Sequence, residues 1–249
     1  MAAVFCLRLA CGLVTALVLL SPAQVHPRFF RVQYWAALGL TAVAGFFLRE
    51  DADASLWMFL TGAGLCYLLA SIVWQLEGAP GHRLLLILAA VLSSAALVLG
   101  SRAVRPGADA WWRGSDDLSA AAFLGTATTA MLMGHSYLVA PAMSLVPLFR
   151  LLAGLGASLG LRMALAATGL WWWTTRSAGV NLDTEMVLWL AVRWALGFLG
   201  PLILGWLAWE TARIRSTQSA TGILYVVVIV CFLGELTSQL LVGKTGYTL

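Results

Sequence analysis

Charge is what this chain has least of. Only 10% of its residues are Asp, Glu, Lys or Arg, against 61% hydrophobic, and the mean hydropathy is +0.89. Such a composition excludes an ordinary soluble domain, because the apolar residues outnumber what one core can hide. The formal charge of +4 comes from dispersed basic residues that form no patch, so nucleic acid is excluded as a partner. Cysteine is also scarce. Cys6, Cys11, Cys66 and Cys231 each sit in an apolar run without metal-site spacing, and read as small buried hydrophobes.

Chemistry-bearing motifs are missing as well. There is no Gly-rich phosphate loop, no zinc-protease motif, no CxxCH haem-attachment site, and no serine or cysteine nucleophile with an assignable base. The links between apolar runs are too short for an extramembrane catalytic domain. Too few charges are present for a channel with a broad hydrated lumen. The fold class expected is therefore an all-α polytopic membrane protein, eight transmembrane helices in one bundle, without an active site of its own.

Windows of about twenty apolar residues place the spans at about 2–20, 33–49, 55–75, 83–100, 117–139, 150–173, 185–212 and 220–242, all in one integral membrane domain spanning 1–249. The first resembles a signal peptide, but Arg8 interrupts it and Ser21-Pro22-Ala23-Gln24 is a poor cleavage signal, so it reads as a membrane helix whose arginine snorkels or faces protein. A turn is expected at Gly78-Ala79-Pro80-Gly81, and a kink at Pro201 inside the seventh span. The stretch 101–117, with Arg102, Arg105, Pro106, Asp109, Trp111, Trp112 and Arg113, reads as an amphipathic link at the headgroup level. Ala120, Ala121, Ala122, Gly125, Ala127 and Ala130 would let the fifth span approach its neighbours closely.

Orientation is weakly written. Alternating the links gives each face six basic residues, so the positive-inside rule abstains. The acids are uneven: Glu77 and Glu210 on one face, and Glu50, Asp51, Asp53, Asp109, Asp116, Asp117, Asp183 and Glu185 on the other. This favours both termini outside a cell membrane.

The stretch Glu185–Val242 carries the main functional signal. It reads as a helical hairpin with Arg193 roughly nine residues into one arm and Glu235 roughly seven from the end of the other, hence at similar depth. Arg162 falls in the same half of the bundle. Ionised groups in hydrocarbon need partners. Two guanidiniums and one carboxylate retain an excess positive charge, which suits an anionic ligand, a lipid headgroup or a quinone carbonyl; alternatively the three simply hold helices together. His135, with Tyr137 nearby, is the second candidate contact for a quinone or a partner. Haem is not expected, since only His135 of the three histidines comes close to being buried.

These features point to a non-catalytic integral membrane subunit of a larger bacterial-type respiratory or redox complex. It would anchor other membrane-complex subunits and contribute a quinone or lipid site through Arg162, Arg193, Glu235, His135 and Tyr137. The competing expectation is a small proton- or anion-coupled transporter using the same intramembrane charges.

Overall fold

The computed structural model describes residues 1–76, 81–105, 109–140, 143–176 and 183–247. Glu77, Pro106, Pro141 and the expected turn at 78–81, apart from Gly81, lie outside them. Over the described residues the chain forms an all-α membrane bundle of eight helices: α1 (Ala2–Leu17), α2 (Pro27–Leu48), α3 (Ala54–Val73), α4 (His82–Val104), α5 (Ala110–Val139), α6 (Val146–Arg176), α7 (Thr184–Arg213) and α8 (Thr217–Thr245). Five of these, α3, α4, α6, α7 and α8, are long and apolar enough to cross a membrane, which makes this a multi-pass membrane protein. The helix α1 is apolar but shorter. With α2 and α5 it packs inside the same bundle.

The helices start where local chemistry satisfies their first N–H groups. Asp53, Asp109 and Asp183 cap α3, α5 and α7, accepting from Leu56, Trp111 and Met186 nitrogens at 2.8, 3.0 and 2.8 Å. His26 caps α2 through Nδ1, and Pro27 follows at a position where a missing N–H costs nothing. All three aspartates lie on the side of the bundle where α1 begins. A helix that starts on that side needs an acceptor there, which explains part of its acidity.

Asp53 also accepts from the Ser55 hydroxyl, and the two bonds hold its carboxyl below the ordinary carboxylate range. A depressed acid stabilises the fold above its unfolded pKa of about 3.9, and that contribution is lost as pH falls through the folded value. Asp53→Asn keeps the capping acceptor but cannot titrate. Amide exchange over residues 54–57 is therefore expected to lose its protection on acidification below about pH 4 in the wild type and not in the variant.

Helices α1 and α5 form the centre. The first packs on α2, α4 and α5, and α5 also on α6 and α8. They cross backbone to backbone: a Cβ added at Gly125 would collide with the Gly12 carbonyl, and one at Gly12 with the Ala121 carbonyl. Gly154 of α6 is a second close approach, 2.7 Å from the Leu19 side chain to an added Cβ, whereas Gly156 and Gly160 face open space.

The irregularity expected at Pro201 is a π turn over Ala195–Leu199, immediately upstream of the proline. Proline has no N–H for the carbonyl one turn back, so the ladder there must be rearranged. The wider turn brings residues five apart together, and Arg193 lies over the Phe198 ring at 4.1 Å. The same turn packs Gly197 against Gly234 of α8, where an added Cβ at Gly197 would sit 3.0 Å from the Gly234 Cα.

The expected link at 101–117 is shorter than its polarity suggests. Helix α4 continues to Val104 and α5 begins at Ala110, so Arg113, Asp116 and Asp117 are helical and buried. Trp111 is exposed, while Trp112 packs on Trp172 at 4.8 Å and ties the start of α5 to the end of α6.

Candidate functional site

Five of the eight helices, with Arg105 just past the end of α4, contribute to one buried ionic network in the half of the bundle nearer the termini. Arg8 of α1 donates from Nε and Nη2 to Asp117 Oδ1 at 3.0 and 2.8 Å, from Nη2 to Asp116 Oδ2 at 2.6 Å, and from Nη1 to Glu235 Oε2 at 3.3 Å. Arg162 of α6 forks onto Glu235 of α8, with Nε to Oε1 at 3.0 Å and Nη2 to Oε2 at 2.7 Å, and its Nη1 donates to Asp116 Oδ1. Arg193 of α7 donates from Nη1 to Glu235 Oε1 at 3.1 Å and to the Gly234 carbonyl at 2.9 Å. Arg105, just past the end of α4, reaches Asp116 Oδ2 at 3.2 Å and Asp117 Oδ1 at 2.6 Å. Arg113 donates to the Arg105 carbonyl at 2.9 Å.

Three of the sequence-selected residues, Arg162, Arg193 and Glu235, therefore meet. The expected set of two guanidiniums and one carboxylate is too small. Asp116 and Asp117 enter because α5 starts six and seven residues before them, and Arg8 enters because α1 faces protein there. Arg8, Arg162, Arg193, Asp116, Asp117 and Glu235 are each at most 1% exposed, while Arg105 is 19% exposed and forms the edge toward the terminal side. Both Glu235 oxygens are held by guanidiniums. That geometry joins α6, α7 and α8 to α1, and a proton on Glu235 would break up the donor set around it.

His135 and Tyr137 are not part of this network, nor do they share a face. Tyr137 is buried and donates its hydroxyl to the Ser144 carbonyl at 2.6 Å, closing the connection from α5 to α6. His135 is exposed, not nearly buried as its place in the sequence suggests, and it lines a cavity of about 400 Å³ between α2 and α5 at the opposite end of the bundle. Phe29, Val32, Leu132, Val139 and Met143 supply apolar walls, and His26, Arg28, Gln33, His135 and Ser136 the polar groups. Because His26 Nδ1 accepts the Arg28 N–H at 3.2 Å, its neutral ring carries the proton on Nε2.

Gln33 is the residue the sequence did not single out. Its side chain is fully buried, and neither its amide nitrogen nor its oxygen has a hydrogen-bond partner. An unpaired buried amide costs about 1–3 kcal/mol, so two such atoms on a cavity wall suit a ligand that both accepts and donates. The sequence offers no cue to it, since Gln33 follows Arg28 and Arg31 at the polar start of α2.

His82 packs edge-on against Trp74 at 5.2 Å, on the same side as the cavity but lining a separate one of about 350 Å³ with Arg83 and Arg150. Among the described residues, no group of three or more His, Cys, Asp or Glu side chains is placed to hold a metal ion. No family model, no curated protein and no solved structure matches the chain.

Proposed function

We propose that this protein is a non-catalytic subunit of a larger redox assembly in the cell membrane, with both termini outside, and that it supplies a headgroup site for a quinone or lipid in the α2/α5 cavity. The observation that carries this reading is Gln33, buried with both amide atoms unpartnered on the wall of a cavity that also holds His26 and His135. A cavity of about 400 Å³ with apolar walls and a few convergent polar groups is the form such sites take. A quinone carbonyl accepts from the Gln33 amide or a histidine N–H, and a quinol hydroxyl donates to the Gln33 oxygen; a lipid phosphate would add Arg28.

The ionic network has a different part in this reading. Its guanidiniums and carboxylates already face one another, so Arg162, Arg193 and Glu235 hold the helices that carry the site and anchor partner subunits. They do not touch the quinone or lipid.

Two measurements test the proposal. Equilibrium binding of a short-tailed quinone to the protein in phosphatidylcholine nanodiscs is expected to weaken about tenfold or more in Gln33→Leu and in His135→Leu, and to stay unchanged in Tyr137→Phe. Phosphatidylglycerol titrated in the same discs competes with the quinone if the headgroup site is shared. Equal binding in all variants, or none in the wild type, overturns the site. Reconstitution tests the subunit role: if the isolated protein moves solute across liposomes, and Glu235→Gln stops it, the protein is a coupled transporter instead.

A further inference from the structure

A smaller cavity, of about 140 Å³, lies against the ionic network on the terminal side, lined by Met1, Val4, Val104, Arg105, Gln239 and Gly243. It is far too small for a quinone or a lipid, whose sites run to roughly 300–1,000 Å³. Two of its walls are polar. Arg105 is the partly exposed edge of the network, and its Nε has no hydrogen-bond partner. Gln239 of α8 is 93% buried, one turn beyond Glu235, and its side-chain nitrogen is also without a partner.

The charges around it do not balance. Arg8, Arg105, Arg162 and Arg193 face Asp116, Asp117 and Glu235, four cations against three anions. In a medium of low dielectric an excess unit charge is costly, and water in a small apolar-walled cavity screens it poorly. The two unpartnered buried atoms, Arg105 Nε and Gln239 Nε2, are N–H donors; the Gln239 amide also carries an acceptor oxygen, so the Arg105 guanidinium decides the sign of the ligand. A cation would meet Arg105, and a neutral ligand would leave the excess uncompensated.

We propose that this cavity is a binding site for a small monovalent anion of chloride, nitrate or formate size, held by the Arg105 guanidinium and the Gln239 amide nitrogen, which completes the neutralisation of the network. The anion enters from the terminal side, where Arg105 is partly exposed. It ties the start of α1 and the end of α4 to α8. This site is independent of the α2/α5 cavity and lies at the other end of the bundle.

The test is thermal unfolding of the purified protein in nanodiscs at constant ionic strength, exchanging gluconate, which is too bulky for the cavity, for chloride or nitrate. The wild-type midpoint is expected to rise with chloride and to saturate. In Gln239→Leu the concentration giving half the rise is expected to increase at least about tenfold, the loss of one hydrogen bond to a charged group. Identical midpoints in gluconate and chloride, or the same saturable rise in the variant, overturn the proposal. Should the variant not fold, bromide-soaked crystals of the wild type decide the matter: an anomalous peak between Arg105 and Gln239 supports the site, and no peak there rejects it.

Discussion

Glu235→Gln is expected to be the most damaging single substitution among the charged residues, lowering stability by about 3–5 kcal/mol, the range for stranding one side of a buried ion pair. Glutamine has the shape of glutamate, so the effect is one of charge and of one acceptor turned into a donor that faces guanidiniums. The carboxylate receives Arg8, Arg162 and Arg193, and removing it leaves four guanidiniums facing two carboxylates. Arginine keeps its charge under nearly all conditions and so cannot relieve the imbalance by losing a proton. Arg193→Met removes the opposite sign and leaves three against three. Its cost is expected to be smaller, about 1–3 kcal/mol, from the second donor lost by the Gly234 carbonyl and from the lost packing on Phe198. Reversible unfolding in mixed micelles, followed by tryptophan fluorescence, gives the ordering. The double variant Arg162→Met with Glu235→Gln should lose clearly less than the sum of its parts, because no charge is stranded between these two positions. If Arg193→Met proves as harmful as Glu235→Gln, net charge is not what governs the network.

How much of this arrangement is readable in the sequence depends on scale. Membrane-bundle character follows from composition, because few charges and long apolar runs leave no alternative solvent. The pairing of Arg193 with Glu235 follows from helix rise in a hairpin. Asp116 and Asp117 are harder to place, since they close a polar stretch that reads as a link. The signal that relocates them is Asp109: an aspartate ahead of Ala110 caps a helix, and a helix starting there carries 113, 116 and 117 inside it. The uneven acids then acquire a second meaning. Of the eight on the terminal side, Asp53, Asp109 and Asp183 are caps, and Asp116 and Asp117 are network members. Only three remain to say anything about orientation. Gln33 is invisible for the opposite reason, since one glutamine in a helix has no pattern, and only its surroundings show that its amide is unpartnered.

The second large effect is expected where no charge is involved. Gly125→Val should cost about 3 kcal/mol or more, beyond ordinary overpacking, because the new side chain meets the Gly12 backbone and a backbone cannot step aside as a side chain does. Two whole helices must separate instead. That separation reaches the network: Arg8 lies one turn before Gly12 on α1, and Asp116 and Asp117 lie about two turns before Gly125 on α5. At 2.6 to 3.0 Å the Arg8 bonds have no slack, so a shift of about an ångström at the crossing takes them out of range. The close crossing thus sets the distance at which the ions meet, and its loss should carry part of the ionic cost with it. Gly160→Ala, in open space on α6, is the control and should be neutral or slightly stabilising, since alanine favours a helix by about 1 kcal/mol over glycine. The coupling itself is measurable. In a background of Arg8→Met, with those bonds already gone, Gly125→Val should cost less than it does in the wild type. Equal costs in the two backgrounds would mean that crossing and network stand independently.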